Sequence, residues 1–197
     1  LKEGNNNTVG GVVAQCTGEK IEKCTNTGNV ISYSTNNFLQ MGGICGLSNN
    51  TKLIECTNYG NITVKAEQGD SYYVGGISGV TVASVEGKST IDRCNNEGKV
   101  TGRGCVGGIV GSSYIGVTIK NCSNVNEVKG RAFLGGIVGM LGNTENKLSH
   151  STLMECYNSG SITAYSENDE LTSSFGGIVG VINDKGREDI IEKCYSK

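Results

Sequence analysis

The chain has 197 residues, 36% hydrophobic and 6% aromatic, with 31 glycines, no proline and a formal net charge of -2 from 17 basic and 19 acidic residues. Its apolar runs end at about six residues, short of the roughly 20 needed to cross a bilayer, and its interspersed charges leave no basic stripe for nucleic acid. Glycine without a triplet period excludes collagen, and apolar residues that recur in a fixed pattern argue against disorder.

Two phrases alternate along the chain, and repeats of this kind define the architecture. The first is an apolar residue, two glycines, an apolar residue and then a small residue. It begins at Val9-Gly10-Gly11-Val12 with Ala14 and returns at Met41-Gly42-Gly43-Ile44 with Gly46 and Val74-Gly75-Gly76-Ile77 with Gly79. Three more copies follow, at Val106-Gly107-Gly108-Ile109 with Gly111, Leu134-Gly135-Gly136-Ile137 with Gly139, and Phe175-Gly176-Gly177-Ile178 with Gly180. The second phrase is aliphatic, two mostly polar residues, Cys-x-Asn-x-Gly-x-Val or Ile. Its copies start at Ile21, Leu53, Ile91, Ile119 and Leu153, with a shortened one at Ile191. In the fourth copy Asn126 replaces the glycine, which predicts a left-handed backbone site there, because Asn tolerates that region.

Cys24, Asn26, Gly28 and Val30 lie two apart, so an extended chain places them on one face. Ile21 breaks the alternation, which predicts a polar bend flanked by two inward residues. Each unit therefore reads as about three short strands with no helix. Glycine corners and one inward set per unit predict an all-β fold: a single-stranded parallel β-helix, or β-solenoid. Residues 1–197 form one such domain of about six coils of roughly 30 residues, right-handed by analogy with parallel crossovers. The inward Asn26, Asn58, Asn96, Asn124 and Asn158 are expected to stack as an amide ladder.

Nine cysteines occur, and six of them (Cys24, Cys56, Cys94, Cys122, Cys156 and Cys194) hold the repeat position. None shows metal-ligand spacing, the chain has one histidine, and the odd count argues against a complete disulfide framework. Parallel Cβ vectors would strain a bond between stacked neighbours. A structural column of buried thiols is expected.

Gly-Gly-Ile-Val-Gly at 107–111, 135–139 and 176–180, followed by Cys-x-Asn-x-Gly-x-Val or Ile, resembles the GLUG motif repeat. The resemblance runs from Val9 to Tyr195. It implies a non-catalytic module of a bacterial surface or secreted protein, of the kind also found outside the catalytic part of some immunoglobulin-A-specific metallopeptidases. It further implies an extracellular location and a fragment of a longer exported protein. No zinc-binding H-E-x-x-H is present, so no catalytic residue carries over.

No catalytic residue, metal or cofactor is expected. Glu55, Asp92, Glu155 and Glu192, stacked with Lys23, Arg93, Lys120 and Lys193, read as a solvated salt-bridged ridge. His150 reads as a surface residue, and the acidic stretch 166–170 as a loop without calcium-site spacing. Insertions fall at 31–40, 63–73 and 163–174, and again at 80–89, 140–151 and 181–189. In a solenoid, such insertions emerge on one face. The first set holds Tyr33, Phe38, Tyr72, Tyr73 and Tyr165, suited to contacting a host protein or glycan. The expected function is adhesion through these loops. The alternatives are a structural stalk or, more remotely, a polysaccharide-active β-helix enzyme. Partners exclude nucleic acid and membrane insertion, while uncapped coils suggest end-to-end self-association.

Overall fold

A computed structural model describes residues 7–33, 38–65, 72–84, 88–114, 116–142, 150–165, 173–183 and 188–197. The described chain is an all-β parallel solenoid with no helix, and hence none long and apolar enough to cross a membrane. In the second turn of the solenoid the strands are Leu39–Gly42, Cys45–Asn49, Lys52–Ile54, Thr57–Asn58 and Ile62–Val64. Each belongs to a different sheet, numbered first to fifth in that order. Four sheets have six strands and the fifth sheet has five, every strand pairing in parallel with its equivalents in neighbouring turns.

Five strands per turn replace the three predicted, because each phrase is broken once more than its alternation suggested. The Gly-Gly pair is itself a corner, with a strand on either side of it. The Cys-x-Asn-x-Gly-x-Val phrase divides after Asn58 and resumes at Ile62. The predicted polar bend is present, and its geometry is specific. Lys23, Glu55, Arg93, Asn121, Glu155 and Lys193, each directly before a repeat cysteine, adopt φ of 51 to 54°. Such left-handed residues cost roughly 1–2 kcal/mol apiece in an L-chain. Their flanking partners offset this: Leu53, Ile91, Ile119 and Leu153 on one side and Cys56, Cys94 and Cys156 on the other are fully buried.

The left-handed site predicted at Asn126 is not one. Neither Asn126 nor its equivalents Gly28, Gly60, Gly98 and Gly160 has positive φ. What Gly60, Gly98 and Gly160 share instead is a close approach to the preceding turn. A Cβ at Gly60, Gly98 or Gly160 would stand closer than 3.0 Å to the carbonyl of the equivalent residue one turn earlier. Asn126 turns its amide instead to the Glu97 carbonyl of that earlier turn, at 2.9 Å.

The interior holds two apolar cores. One unites Ile44, Ile77, Ile109 and Ile137, just past the Gly-Gly pairs, with Leu53, Ile91, Ile119, Leu153 and the buried cysteines. The other unites Leu39, Met41, Tyr72, Val74, Val106 and Leu134 of the first sheet with Ile62, Val100 and Val128 of the fifth. Each fully buried aliphatic side chain contributes roughly 1.5–3 kcal/mol. The repeat asparagines lie between the cores, against the Gly-Gly corner. A Cβ at Gly43, Gly76, Gly108 or Gly136 would run into Asn58, Asn96, Asn124 or Asn158 and into the next turn's backbone. The two sequence phrases are thus halves of one packing unit.

Gly76→Ala should lower stability by about 3 kcal/mol or more, because both obstructing groups are fixed. Gly28→Ala should be close to neutral, since among the described residues an added Cβ would meet only Asn26 Oδ1, at 3.7 Å. Urea unfolding of the two variants checks this, and equal losses would contradict the packing unit.

Candidate functional site

The amide ladder predicted from the sequence is present. Asn26 Nδ2 donates to Asn58 Oδ1 at 2.7 Å, Asn58 to Asn96 at 2.8 Å, Asn96 to Asn124 at 2.7 Å, and Asn124 to Asn158 at 2.8 Å. Asn158 completes the row by donating to Ser196 Oγ at 3.3 Å. The second hydrogen of each amide goes to the carbonyl two residues on, at Gly28, Gly60, Gly98, Asn126 and Gly160, over 2.7 to 2.9 Å. Both donors of every ladder amide are therefore satisfied. Burial of such a group without partners would cost several kcal/mol. Asn58, Asn96 and Asn124 are fully buried and present nothing to a ligand.

The thiol column lies beside the ladder. Cys24, Cys56, Cys94, Cys122, Cys156 and Cys194 are free, and each Sγ donates to the carbonyl two residues earlier at 3.1 to 3.5 Å. From Cys56 onward each also faces the carbonyl of the aliphatic residue one turn back, such as Ile21 at 3.6 Å and Leu53 at 3.5 Å. A thiol is small enough for the core and still a weak donor, so it bridges turns where valine could not. Burial pushes Cys45 and Cys105, outside the column, up to about 12, and it raises Cys122 well above the ordinary thiol range. These are inert thiols rather than nucleophiles.

The charged ridge follows the left-handed column. Arg93 bridges Glu55 at 3.1 Å and Asp92 at 2.6 Å, Lys23 lies 3.9 Å from Glu55, and Lys193 lies 3.9 Å from Glu155. Asn121 donates to Asp92 Oδ1 at 3.0 Å, and Lys120 lies 4.0 Å from the other oxygen. Asp92 is the buried member of the group. The exposed pairs contribute less than about 1 kcal/mol each. Among the described residues, no three His, Cys, Asp or Glu side chains converge on a metal-sized site. His150 is half-buried, and the stretch 166–170 lies outside the described residues.

The five aromatic residues assigned to a binding face divide into three groups. Tyr72 is a correction: it is fully buried in the second core, in register with Leu39, because alternation along Tyr72–Gly75 points it inward. Phe38 and Tyr73 are half-buried and meet edge to face at 5.5 Å. Tyr33 and Tyr165 stand at the corner after the fifth sheet, each with a lysine over its ring. Lys65 Nζ lies 5.4 Å from the Tyr33 centroid and Lys129 Nζ 5.9 Å from that of Tyr165. Tyr33 is 69% exposed, whereas the Tyr165 hydroxyl donates to the Gly102 carbonyl at 3.1 Å and lies along the rod. Beside them the Thr163 hydroxyl donates to Glu127 at 2.8 Å and Lys99 stands 3.5 Å away, which together hold the Glu127 carboxyl below its usual range.

The lysines were missed by sequence reasoning, although a signal existed for one of them. Tyr33, Lys65 and Tyr165 sit three residues past Val30, Ile62 and Ile162, which share one register column through Val100 and Val128. Aligning the copies on those residues rather than on loop boundaries would have joined them.

Asn96→Ala should destabilise by about 3 kcal/mol, because it strands Asn58 Nδ2, Asn124 Oδ1 and the Gly98 carbonyl. Asn26→Ala, at the open end of the ladder, should cost nearer 1 kcal/mol, and chemical denaturation separates the two. A disulfide reagent should label Cys16, Cys24 and Cys194 in the native protein, and the six buried cysteines only after unfolding. Because the folded thiols at Cys45 and Cys105 titrate higher than unfolded ones, their contribution is full below pH 9.0 and is lost as pH rises toward about 12.

Compared with known proteins, the chain finds no match among family models, curated proteins or solved structures.

Proposed function

We propose that this chain is a GLUG-type, non-catalytic repeat module of an exported bacterial surface protein, a right-handed rod of six coils that contacts a host protein or glycan from its side. The carrying observation is the corner after the fifth sheet. There an exposed Tyr33 lies under Lys65, and Tyr165 lies under Lys129. A tyrosine ring with an adjacent cation offers a flat apolar face and charged donors together, the chemistry that stacks on a sugar ring or grips an acidic peptide. The interior supports the same view indirectly. The amides and most of the thiols are consumed in holding the turns together, which leaves the corners to vary. A second reading is a spacer that presents another domain. The unbroken ladder from Asn26 to Ser196 favours it, because it ties every turn to the next.

The test is a screen of the purified chain against a glycan array and a panel of extracellular-matrix proteins, beside a Tyr33→Ala/Tyr165→Ala variant with an unchanged circular-dichroism spectrum. The expected result is binding that weakens at least about ten-fold in the variant, as loss of about 1.4 kcal/mol of ring contact requires. Failure of the folded wild-type chain to bind anything in the panel would reject the ligand reading and leave the spacer.

A further inference from the structure

Stacked charges are arranged differently on two sides of the rod. Along the left-handed column the sign alternates: Lys23 lies by Glu55, Glu55 by Arg93, and Lys193 by Glu155. Alternation is what stacking favours, because like charges directly opposite one another destabilise a sheet. The outward face of the fifth sheet breaks this rule. Val30, Ile62, Val100, Val128 and Ile162 share one register column and point inward. Residues an odd number of positions away therefore face outward. Three positions past that column stand Lys65, Arg103 and Arg131, in three successive turns between Tyr33 and Tyr165. Backbone bonds carry the register that far. Lys65 N donates to the Ser32 carbonyl at 2.8 Å, Ala132 N to that of Arg103 at 3.1 Å, and Tyr165 N to that of Gly130 at 3.0 Å. Lys99 and Lys129 lie on the same face, one position before Val100 and one after Val128.

Scattered in the sequence, these residues gather once the turns are stacked. Among its described residues the face holds five bases, Lys65, Lys99, Arg103, Lys129 and Arg131, against one acid, Glu127. The whole chain has 17 basic and 19 acidic residues, so the excess is local. Neither apolar core requires it. Lys65 and Lys99 are exposed, Lys129 and Arg131 are half-buried, and Arg103 is buried, where it adds field rather than contact. The four accessible cations belong to the second, third and fourth turns, each with a turn on either side. Thr63 and Thr101, half-buried and in register with Lys129, set hydroxyls beside the charges.

Five cations lie within two turn spacings, about 10 Å along the axis. The ligand that matches them is a linear polyanion of high charge density. Peptides are poorly served here, since they join sheets through open edges or settle in apolar grooves, and these strands are paired on both sides. Sugar rings suit the rest of the face, because tyrosine stacks on them and threonine meets their hydroxyls. One carboxylate per ring supplies fewer charges over that length than the face carries, whereas sulfate esters can occupy several positions of each ring. We propose that the outward face of the fifth sheet holds a sulfated polysaccharide laid along the rod axis and gripped by Lys65, Lys99 and Lys129. This ligand narrows the glycan reading above and rests on it, since both place the contact on the side of the rod.

Fluorescence anisotropy of a labelled heparin oligosaccharide tests this with the wild-type chain, Lys99→Gln/Lys129→Gln, Glu127→Gln, and Lys20→Gln/Lys52→Gln as a control. The control removes the same charge from two lysines paired in register on the third sheet. Overlaid circular-dichroism spectra verify each fold. The expected result is salt-sensitive binding by wild type, at least about ten-fold weaker in Lys99→Gln/Lys129→Gln, as two lost cation contacts to a polyanion require. The control should match wild type. Glu127→Gln should bind more tightly, because it removes the repelling charge while the Thr163 hydroxyl keeps its acceptor. Equal losses in the control and in Lys99→Gln/Lys129→Gln, or equal binding of polygalacturonate, polyglutamate or duplex DNA, would overturn the proposal. So would silence toward heparin beside Tyr33-dependent binding of a neutral glycan, an outcome that leaves the side-contact reading standing. Silence toward every glycan removes both.

Discussion

The closeness of the Gly-Gly corner to the repeat asparagine is the constraint on which the rest of the structure depends. Ordinary β-strands keep side chains between themselves and whatever they pack upon. Here the second glycine of each of the first five pairs lies directly against an amide group, and these amides bond one another from turn to turn. Only a residue without a Cβ permits that approach, and only a side chain with two donors and an acceptor can serve the ladder and its own backbone at once. Valine or leucine at the asparagine would leave the carbonyl at Gly98, or its equivalents, unpaired between two apolar cores. Any residue other than glycine at the corner would push the amide off its axis. Each half of the repeat therefore requires the other half, and the requirement recurs in every turn.

Stability in such an array is close to a sum over neighbouring turns. A turn in the middle gains from two interfaces and a turn at an end from one. This explains why residues of the same type differ in exposure along a column. Ile21 in the first turn is 8% exposed, Leu53, Ile91, Ile119 and Leu153 are fully buried, and Ile191 in the last turn is 41% exposed. The left-handed residues fit the same account. The strained backbones of the inner turns, at Glu55, Arg93, Asn121 and Glu155, are retained because each turns an aliphatic side chain and a thiol into the same core, and the burial outweighs the strain.

Much of this fold was legible because its signals repeat. Six aligned copies turn a weak local preference into a firm one, so the parallel stacking, the inward cysteines and the amide ladder could all be read from spacing. Strand number could not, because the Gly-Gly corner and the break between Asn58 and Ile62 lie inside phrases whose spacing reads as one continuous strand. The bend at Glu55 or Arg93 was legible as an interruption of the alternation, but its left-handed backbone was not, since a left-handed glutamate or arginine looks like any exposed charge. The error at Asn126 has the same origin. Asparagine in place of glycine suggests positive φ, but here the glycines are selected for close approach, and the sequence does not distinguish those two causes. Tyr72 was misplaced because it was counted within the insertion at 63–73. The strand begins at that very residue, and its alternation with Val74 sends the ring inward.

What lies outside the cores obeys no repeat, and that division bears on how such a rod can acquire specificity. The distance between successive Gly-Gly pairs ranges from 28 residues, between Gly107 and Gly135, to 41, between Gly135 and Gly176. Yet Val106 still pairs with Leu134 and Leu134 with Phe175. Register is fixed by corner, ladder and core, none of which involves the residues that differ. Insertions at the corners therefore cost little beyond loop closure, which grows slowly with length. A side chain placed at such a corner also inherits a fixed partner one turn away, as Tyr33 does in Lys65. The repeat supplies spacing and direction, and the exposed corners supply chemistry, so side chains at the corners can change from turn to turn without disturbing the array that carries them.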